Sequence, residues 1–256
     1  MYRYKLPISV VIITLNEEQY IGKLLSSIFE QEFLPKEVIV ADSPKTIDRT
    51  REIASRFGCT IVDGGLPAEG LNSGASASKS EFIFFLAADT ELTNKFFLVT
   101  LFSLFMYKNL DVACCTADLF KDSANEYSVD VINSLYKVLK EVAKFNSKFN
   151  LKMGNGLLVR REVYNNLNGF NESLKFGEDV DFIKRAEANN YKFDVIPLDI
   201  CMSGRRFKTP AKAINSILAA VGLNVSYTLG LSGDKINSKL AKLYGKLGGG
   251  KDEKGV

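Results

Sequence analysis

Ser9-Val10-Val11-Ile12-Ile13-Thr14-Leu15-Asn16-Glu17-Glu18 is a β-branched run that stops at a short polar residue and then turns acidic. The same pattern occurs twice more, where Val38 to Ala41 runs into Asp42 and Phe82 to Leu86 runs into Ala87-Ala88-Asp89. In an open, largely parallel α/β sheet, ligands bind outside the carboxyl ends of the strands. Three polar strand ends on one edge therefore define a single site, and the chain reads as an enzyme.

Working outward, Ile8 to Thr14 is strand one, and Asn16 is placed to cap a helix with Glu17 and Glu18 in its first turn and Ile21, Leu24, Leu25 and Ile28 on its apolar face. Pro35 breaks the chain, Glu37 to Ala41 forms strand two, and a helix from Asp48 to Phe57 ends at Gly58 before a strand at Thr60 to Val62. A glycine-rich loop (Gly64, Gly65, Pro67, Gly70) leads to a short helix over Leu71 to Ser78 and the strand Glu81 to Leu86. An apolar helix over Thr93 to Tyr107 and a strand at Val112 to Thr116 follow, then a polar, helix-prone stretch from Asp118 to Asn150. Gly154-Asn155-Gly156 precedes a strand at Leu157 to Val159, a short helix from Arg161, the turn Asn168-Gly169-Phe170, a helix opening at Glu178-Asp179, and a strand at Phe193 to Ile196. Such alternation predicts an α/β fold: a Rossmann-like, mostly parallel sheet with helices on both faces.

Composition narrows the chemistry. The 256 residues include no histidine, which excludes Ser-His-Asp and Cys-His catalysis, histidine-ligated zinc and an imidazole base. Carboxylates or a bound metal must do the work. A net charge of +3 gives no footprint for nucleic acid, and four cysteines without metal-ligand spacing fit a reducing, cytoplasmic setting. The apolar run after Met1 to Leu6 is too short for an export signal.

Each candidate has a functional and a structural reading. Asp89, closing an apolar strand, suits Mg²⁺ or Mn²⁺, which take one or two protein carboxylates and fill their octahedron with substrate phosphates and water; equally, it suits the cap of a following helix. Asp42 is placed to accept hydrogen bonds from a base or ribose, or to form a turn before Pro44. Glu178, Asp179 and Asp181 open a helix, where acids are ordinary dipole partners. Arg205-Arg206 suits a diphosphate clamp or a solvated loop. No G-x-G-x-x-G follows strand one and no P-loop is present, which disfavours a dinucleotide-dependent oxidoreductase.

Taken in order, Ser9 to Glu18, the strand to Asp42, Asn72-Ser73-Gly74-Ala75, Phe84-Phe85-Leu86-Ala87-Ala88-Asp89-Thr90, Gly154-Asn155-Gly156, Gly177-Glu178-Asp179 and Ser203-Gly204-Arg205-Arg206-Phe207 resemble the family 2 glycosyltransferases of GT-A fold. The resemblance spans residues 7–208 and implies an inverting enzyme. It implies that Thr14, Asn16, Glu17, Asp42, Asn72, Ala88 and Asp89, with Arg205 and Arg206, hold a nucleotide-diphosphate sugar (UDP- or GDP-sugar). Asp89 then corresponds to the last acid of the family's D-x-D motif and holds the metal, while Asp179, with Glu178 beside it, corresponds to the general base. Ala87 stands where the family usually has the leading aspartate, Leu71 where many members have arginine, and Cys201-Met202 where many carry histidine. A sugar nucleotidyltransferase would instead need a glycine-rich basic loop after strand one, and a non-catalytic scaffold is the remaining alternative.

The expected layout is a GT-A domain over residues 1–209, with a nucleotide half (1–92) and an acceptor half (93–209), a helical appendage over 210–247, and a flexible tail over 248–256. In the appendage, Ile236, Leu240, Leu243 and Leu247 alternate at helical spacing with Lys235, Lys239, Lys242 and Lys246. That pattern suits either anionic headgroups or a protein partner, so residues 213–247 are candidates for membrane-surface contact at the cytoplasmic face. The acceptor expected on this reading is a glycan or a polyprenyl phosphate.

Overall fold

The computed structural model describes residues 4–120, 134, 156–207, 218–219, 221–227 and 239–240. The elements run β1 (Lys5–Thr14), α1 (Ile21–Phe29), β2 (Leu34–Asp42), α2 (Thr50–Arg56), β3 (Thr60–Asp63), α3 (Pro67–Ala77), β4 (Phe82–Ala87), β5 (Thr90–Leu92), α4 (Phe97–Tyr107), β6 (Val112–Phe120), β7 (Leu157–Arg160), α5 (Arg161–Asn166), α6 (Glu178–Ala188) and β8 (Phe193–Ser203). They build one eight-stranded sheet in the order β3-β2-β1-β4-β7-β6-β8-β5. From β3 to β4 the strands pair in parallel; β7 joins β4 antiparallel, as β6 joins β7 and β5 joins β8.

The unbroken apolar runs follow from burial on both faces. Ile8, Val10, Ile12, Phe82, Phe84 and Leu86 point into one core beneath α1 and α4, while Val11, Ile39, Ile83 and Phe85 point into a second beneath α3, α5 and α6. On the second face α3 lies close enough that a Cβ on Gly74 would sit 2.3 Å from Val11 Cγ1. After β1 the chain steps outward to β2 and β3, then returns across to β4, so the strand order reverses between β1 and β4. This switch point is where a doubly wound sheet opens a crevice.

The structure revises several local expectations. Helix α1 starts at Ile21 with no side-chain cap; Asn16 instead takes a left-handed backbone (φ 54°), a conformation asparagine tolerates, so Glu17 and Glu18 precede the helix. Pro35 lies inside β2, opposite Leu6, where the β1–β2 register slips before Ser9; a proline is tolerated at such an irregularity near a strand's start. Thr90–Leu92 is a strand because β8 extends to Ser203 and pairs with it, which delays α4 to Phe97 and removes Asp89 from any helix-capping role.

Contacts divide the chain into two compact units, one of residues 1–118, 154–172 and 178–202, the other of 119–153, 173–177 and 203–256. In the second, Gly204–Phe207 forms a 3₁₀ turn, residues 221–227 are helical, and buried Leu223 packs on Gly177, where a Cβ would lie 2.1 Å from Leu223 Cδ2. Most of the polar stretch 118–150, all but residues 239–240 of the lysine-rich helix expected around 235–247, and the whole tail 248–256 lie outside the described residues. Among the described residues no helix is long and apolar enough to cross a membrane.

Substituting Gly74→Ala forces a methyl into Val11 and costs about 1–3 kcal/mol by overpacking. In urea unfolding the cost shrinks when Val11→Ala is present, as expected for two groups in direct contact.

Candidate active site

Parallel register sets the polar strand ends side by side: Thr14 pairs with Asp42, and Asp42 with Asp63. Backbone bonds continue this ladder into the loops, from Ser43 N to Thr14 O (2.9 Å) and from Gly64 N to Asp42 O (2.7 Å). Asp42 is fully buried, and a buried carboxylate must be paired and hydrogen-bonded. Its Oδ1 accepts from the hydroxyls of Thr14 (2.6 Å) and Thr46 (2.8 Å), and its Oδ2 from Arg51 Nε (2.8 Å). Arg51, on α2, also donates through Nη2 to the exposed carboxylate of Asp63. Hydrogen bonds to Asp63 and then Asp42 push the guanidinium's pKa up, so it is a fixed cation at the rim.

The loops after β1 and β2 are zipped together. Asn16 Oδ1 accepts from Ile47 N (2.9 Å), Glu17 N donates to buried Thr50 Oγ1 (2.8 Å), and Glu18 N donates to Asp48 Oδ2 (3.0 Å). Asp48 Oδ1 takes the hydroxyl and amide of Thr50 at 2.5 and 3.0 Å. Burial acts to raise the Asp48 pKa, but these hydrogen bonds outweigh it and hold the carboxyl below the ordinary aspartate range. Asn16 and Glu17, expected at the nucleotide, thus lie in this loop with the Asn16 carbonyl engaged.

Across the switch point, Ala88 and Asp89 form the turn between β4 and β5, both buried, with Thr90 Oγ1 closing the turn onto Ala87 O (2.7 Å). Among the described residues no three His, Cys, Asp or Glu side chains gather to cage an ion. The Asp89 carboxylate offers a hard oxygen donor, which suits Mg²⁺ or Mn²⁺ that bring most of their ligands as substrate phosphate and water.

Glu178 and Asp179 open α6, each half-buried, and Asp179 Oδ1 accepts from Val180 N (2.8 Å). Asn72, expected at the sugar donor, is occupied elsewhere. Its Nδ2 donates to Phe170 O (2.9 Å) and Glu172 Oε1 (2.8 Å), and its Oδ1 accepts from Tyr164 Oη (2.7 Å) and Phe170 N (2.9 Å), which uses all four positions of an amide. In the second unit, Arg205 is half-buried in the 3₁₀ turn with its amide on Ser203 Oγ (3.2 Å), and Arg206 lies in the same turn. Nothing in the sequence analysis points to Arg51, Asp48 or Asp63 as site residues. Asp63 carried a signal, since it ends a strand in the same fashion as Asp42; Arg51 carried none, because only the packing of α2 brings it to the strand ends.

The mixed α/β sheet, parallel from β3 to β4, has the GT-A fold of solved glycosyltransferases. The family model for glycosyl transferase family 2 matches residues 9–167, and the chain belongs to that family. The O-antigen chain rhamnosyltransferase WbaN of Salmonella anatum is 30% identical over 62% of this chain and 53% of its own length, so the chain spans about half of that relative. A Pyrobaculum calidifontis mannosyltransferase, solved with GDP-Man and Mn²⁺, superposes with a TM-score of 0.65 at 17% identity, covering 94% of this chain and 70% of its own. Glucosyl-3-phosphoglycerate synthase of Mycobacterium tuberculosis, solved with Mn²⁺, UDP and product, gives 0.61 at 16% identity over 88% and 81%.

Asp42→Asn keeps the shape but turns an amide toward Arg51, and is expected to cost about 1–3 kcal/mol in denaturant unfolding, the order of a buried hydrogen-bonding group left unsatisfied. Because the folded Asp48 pKa is lowered, its contribution is complete above the unfolded aspartate value and is lost as pH falls through the folded one. Asp48→Asn should therefore flatten the loss of stability below about pH 4 while leaving the neutral range little changed in pH dependence.

Proposed function

We propose that this chain moves a sugar from a nucleoside-diphosphate sugar to a glycan or polyprenyl-phosphate acceptor, with inversion at the anomeric carbon. The observation that carries this reading is the row of polar strand ends on either side of the switch point, Thr14 and Asp42 on β1 and β2 and Asp89 after β4, in a chain of this family. The activity named for the Salmonella relative supports a glycan acceptor and a deoxyhexose donor. The nucleotides and Mn²⁺ bound by the structural neighbours support the donor class and a divalent ion.

The chemistry divides among these residues. Arg51 is offered as the polar contact to the nucleoside, held in place by buried Asp42, which Thr14 orients in turn. Asp89 would hold a divalent ion, which when bound would supply charge neutralisation to the departing diphosphate. Asp179 takes the proton of an acceptor hydroxyl as that oxygen forms its bond to the anomeric carbon, and the bonding pair of the sugar–phosphate bond leaves with the nucleoside diphosphate. With a phosphate acceptor, already ionised near neutral pH, Asp179 orients the nucleophile instead. Arg205 and Arg206 are offered as further partners of the diphosphate. The lysine-rich segment within 213–247 is offered as a contact to anionic headgroups at the cytoplasmic face of a membrane.

Calorimetric titration of UDP-glucose, GDP-mannose and dTDP-rhamnose, each with and without Mn²⁺, tests the donor. One of them should bind more tightly with Mn²⁺, and Asp89→Ala should remove that gain; a gain that survives the substitution would sink the metal role. Asp179→Asn should lower turnover by about 10²–10⁴ with donor affinity unchanged. Turnover near the original rate would rule out the base.

A further inference from the structure

The turn Asn168-Gly169-Phe170 and the pair Asp181–Arg185 take no part in the chemistry above, yet they join α3 to α6, the helix that carries Asp179. Asn72 holds the loop after α5 from the α3 side, through both the N–H and the carbonyl of Phe170 and through Glu172. Arg185 holds the same loop from α6. Its Nη1 donates to Leu167 O (2.7 Å), its Nη2 to Gly169 O (2.8 Å), and its Nε to Asp181 Oδ2 (2.7 Å) one helical turn earlier. The guanidinium lies over the Phe182 ring, 5.4 Å from its centroid. Phe182 in turn packs on Phe170, with centroids 4.9 Å apart, and on Tyr164. Burial, reinforced by the nearby Glu172 carboxylate, pushes the Tyr164 pKa up to about 12, so its hydroxyl stays a donor to Asn72.

The turn is shaped for this grip. Gly169 has φ +66°, and a Cβ there would lie 2.6 Å from Asn72 Oδ1 and 2.7 Å from Tyr164 Oη, so only glycine lets the amide and phenol approach. We propose that Asn72 and Arg185 are positioning residues, which clamp the Leu167–Glu172 loop between α3 and α6 and thereby fix the first turn of α6, with Glu178 and Asp179, against the strand-end site. A helix is a rigid rod of about 1.5 Å rise per residue, so a hold on Asp181 and Arg185 sets where Asp179 stands along the axis. A misplacement of about 1 Å is enough to cost on the order of 100-fold in rate. The inference rests on the glycosyltransfer reading for its catalytic consequence and on geometry alone for the clamp.

The test uses the full chain with Asn72→Ala, Asn72→Asp, Arg185→Lys and Gly169→Ala. Two readouts are taken: donor turnover from UDP-glucose, GDP-mannose and dTDP-rhamnose, and amide hydrogen exchange in peptides covering residues 178–183. Arg185→Lys keeps the charge and loses the fork; Asn72→Asp keeps the shape and loses both donors, which guards against a truncation that simply fails to fold. The expected signature is kcat lower by about 10–100-fold, KM for the donor within about threefold, and faster exchange at the start of α6. Lower thermal stability with kcat unchanged and exchange unaltered would overturn the proposal. A parallel fall in donor affinity would also overturn it, by returning Asn72 to the donor site. If the wild-type protein turns over none of the three donors, the glycosyltransfer reading fails and the catalytic consequence with it, while unaltered exchange would refute the clamp itself.

Discussion

The carboxylate of Asp42 is fully buried at the end of β2, and the site depends on how it is satisfied. A buried charge without partners is costly enough that the surrounding chain must be organised to supply them. Here Thr14 comes from β1, Thr46 from the loop after β2 and Arg51 from α2, and Arg51 reaches on to Asp63 at the end of β3. One carboxylate thereby ties together three successive strand ends. The polar groups at these strand ends are thereby oriented before any ligand arrives, the condition under which polar contacts contribute most to binding and to rate.

The second organising feature is the tight fit of α3 and α6 on the opposite face from α1. Gly74 brings α3 against Val11, and the Tyr164, Phe170 and Phe182 rings fill the space between α3, α5 and α6. Polar groups within that layer are satisfied by each other. Arg185 and Asp181 pair across one helical turn, and the Asn72 amide saturates itself on the loop between α5 and α6. Packing of this density transmits position, since close-packed interiors deform little.

Much of the site was legible because strand ends announce themselves. An apolar run stopping at Thr14, Asp42 or Asp89 needs no partner information to be read, and the acids opening α6 stand at a helix start that the sequence marks with Gly177. Asn16, Asn72 and Thr90–Leu92 were read differently from how they lie. Asn16 looked like a cap, but its side chain found Ile47 on another loop. Asn72 looked like a ligand group, but four partners lie 92 to 100 residues away in sequence. Thr90–Leu92 looked like a helix approach, and pairing with β8 more than a hundred residues later made it a strand.

The sequence by itself determined the α/β class, the parallel core from β3 to β4, the identity of the faces buried on α1, and the edge on which the polar strand ends gather. Each of these rests on local periodicity and on residues adjacent in the chain, which act before any long-range contact forms. Only the tertiary structure decided the antiparallel extension of the sheet, the pairing of Arg51 with Asp42 and Asp63, and the hydrogen bonds that engage the Asn72 amide. Those outcomes depend on which hydrogen-bonding groups meet once the helices dock. A polar side chain's partners are set by burial and distance in space, and neither is encoded in its immediate sequence neighbours.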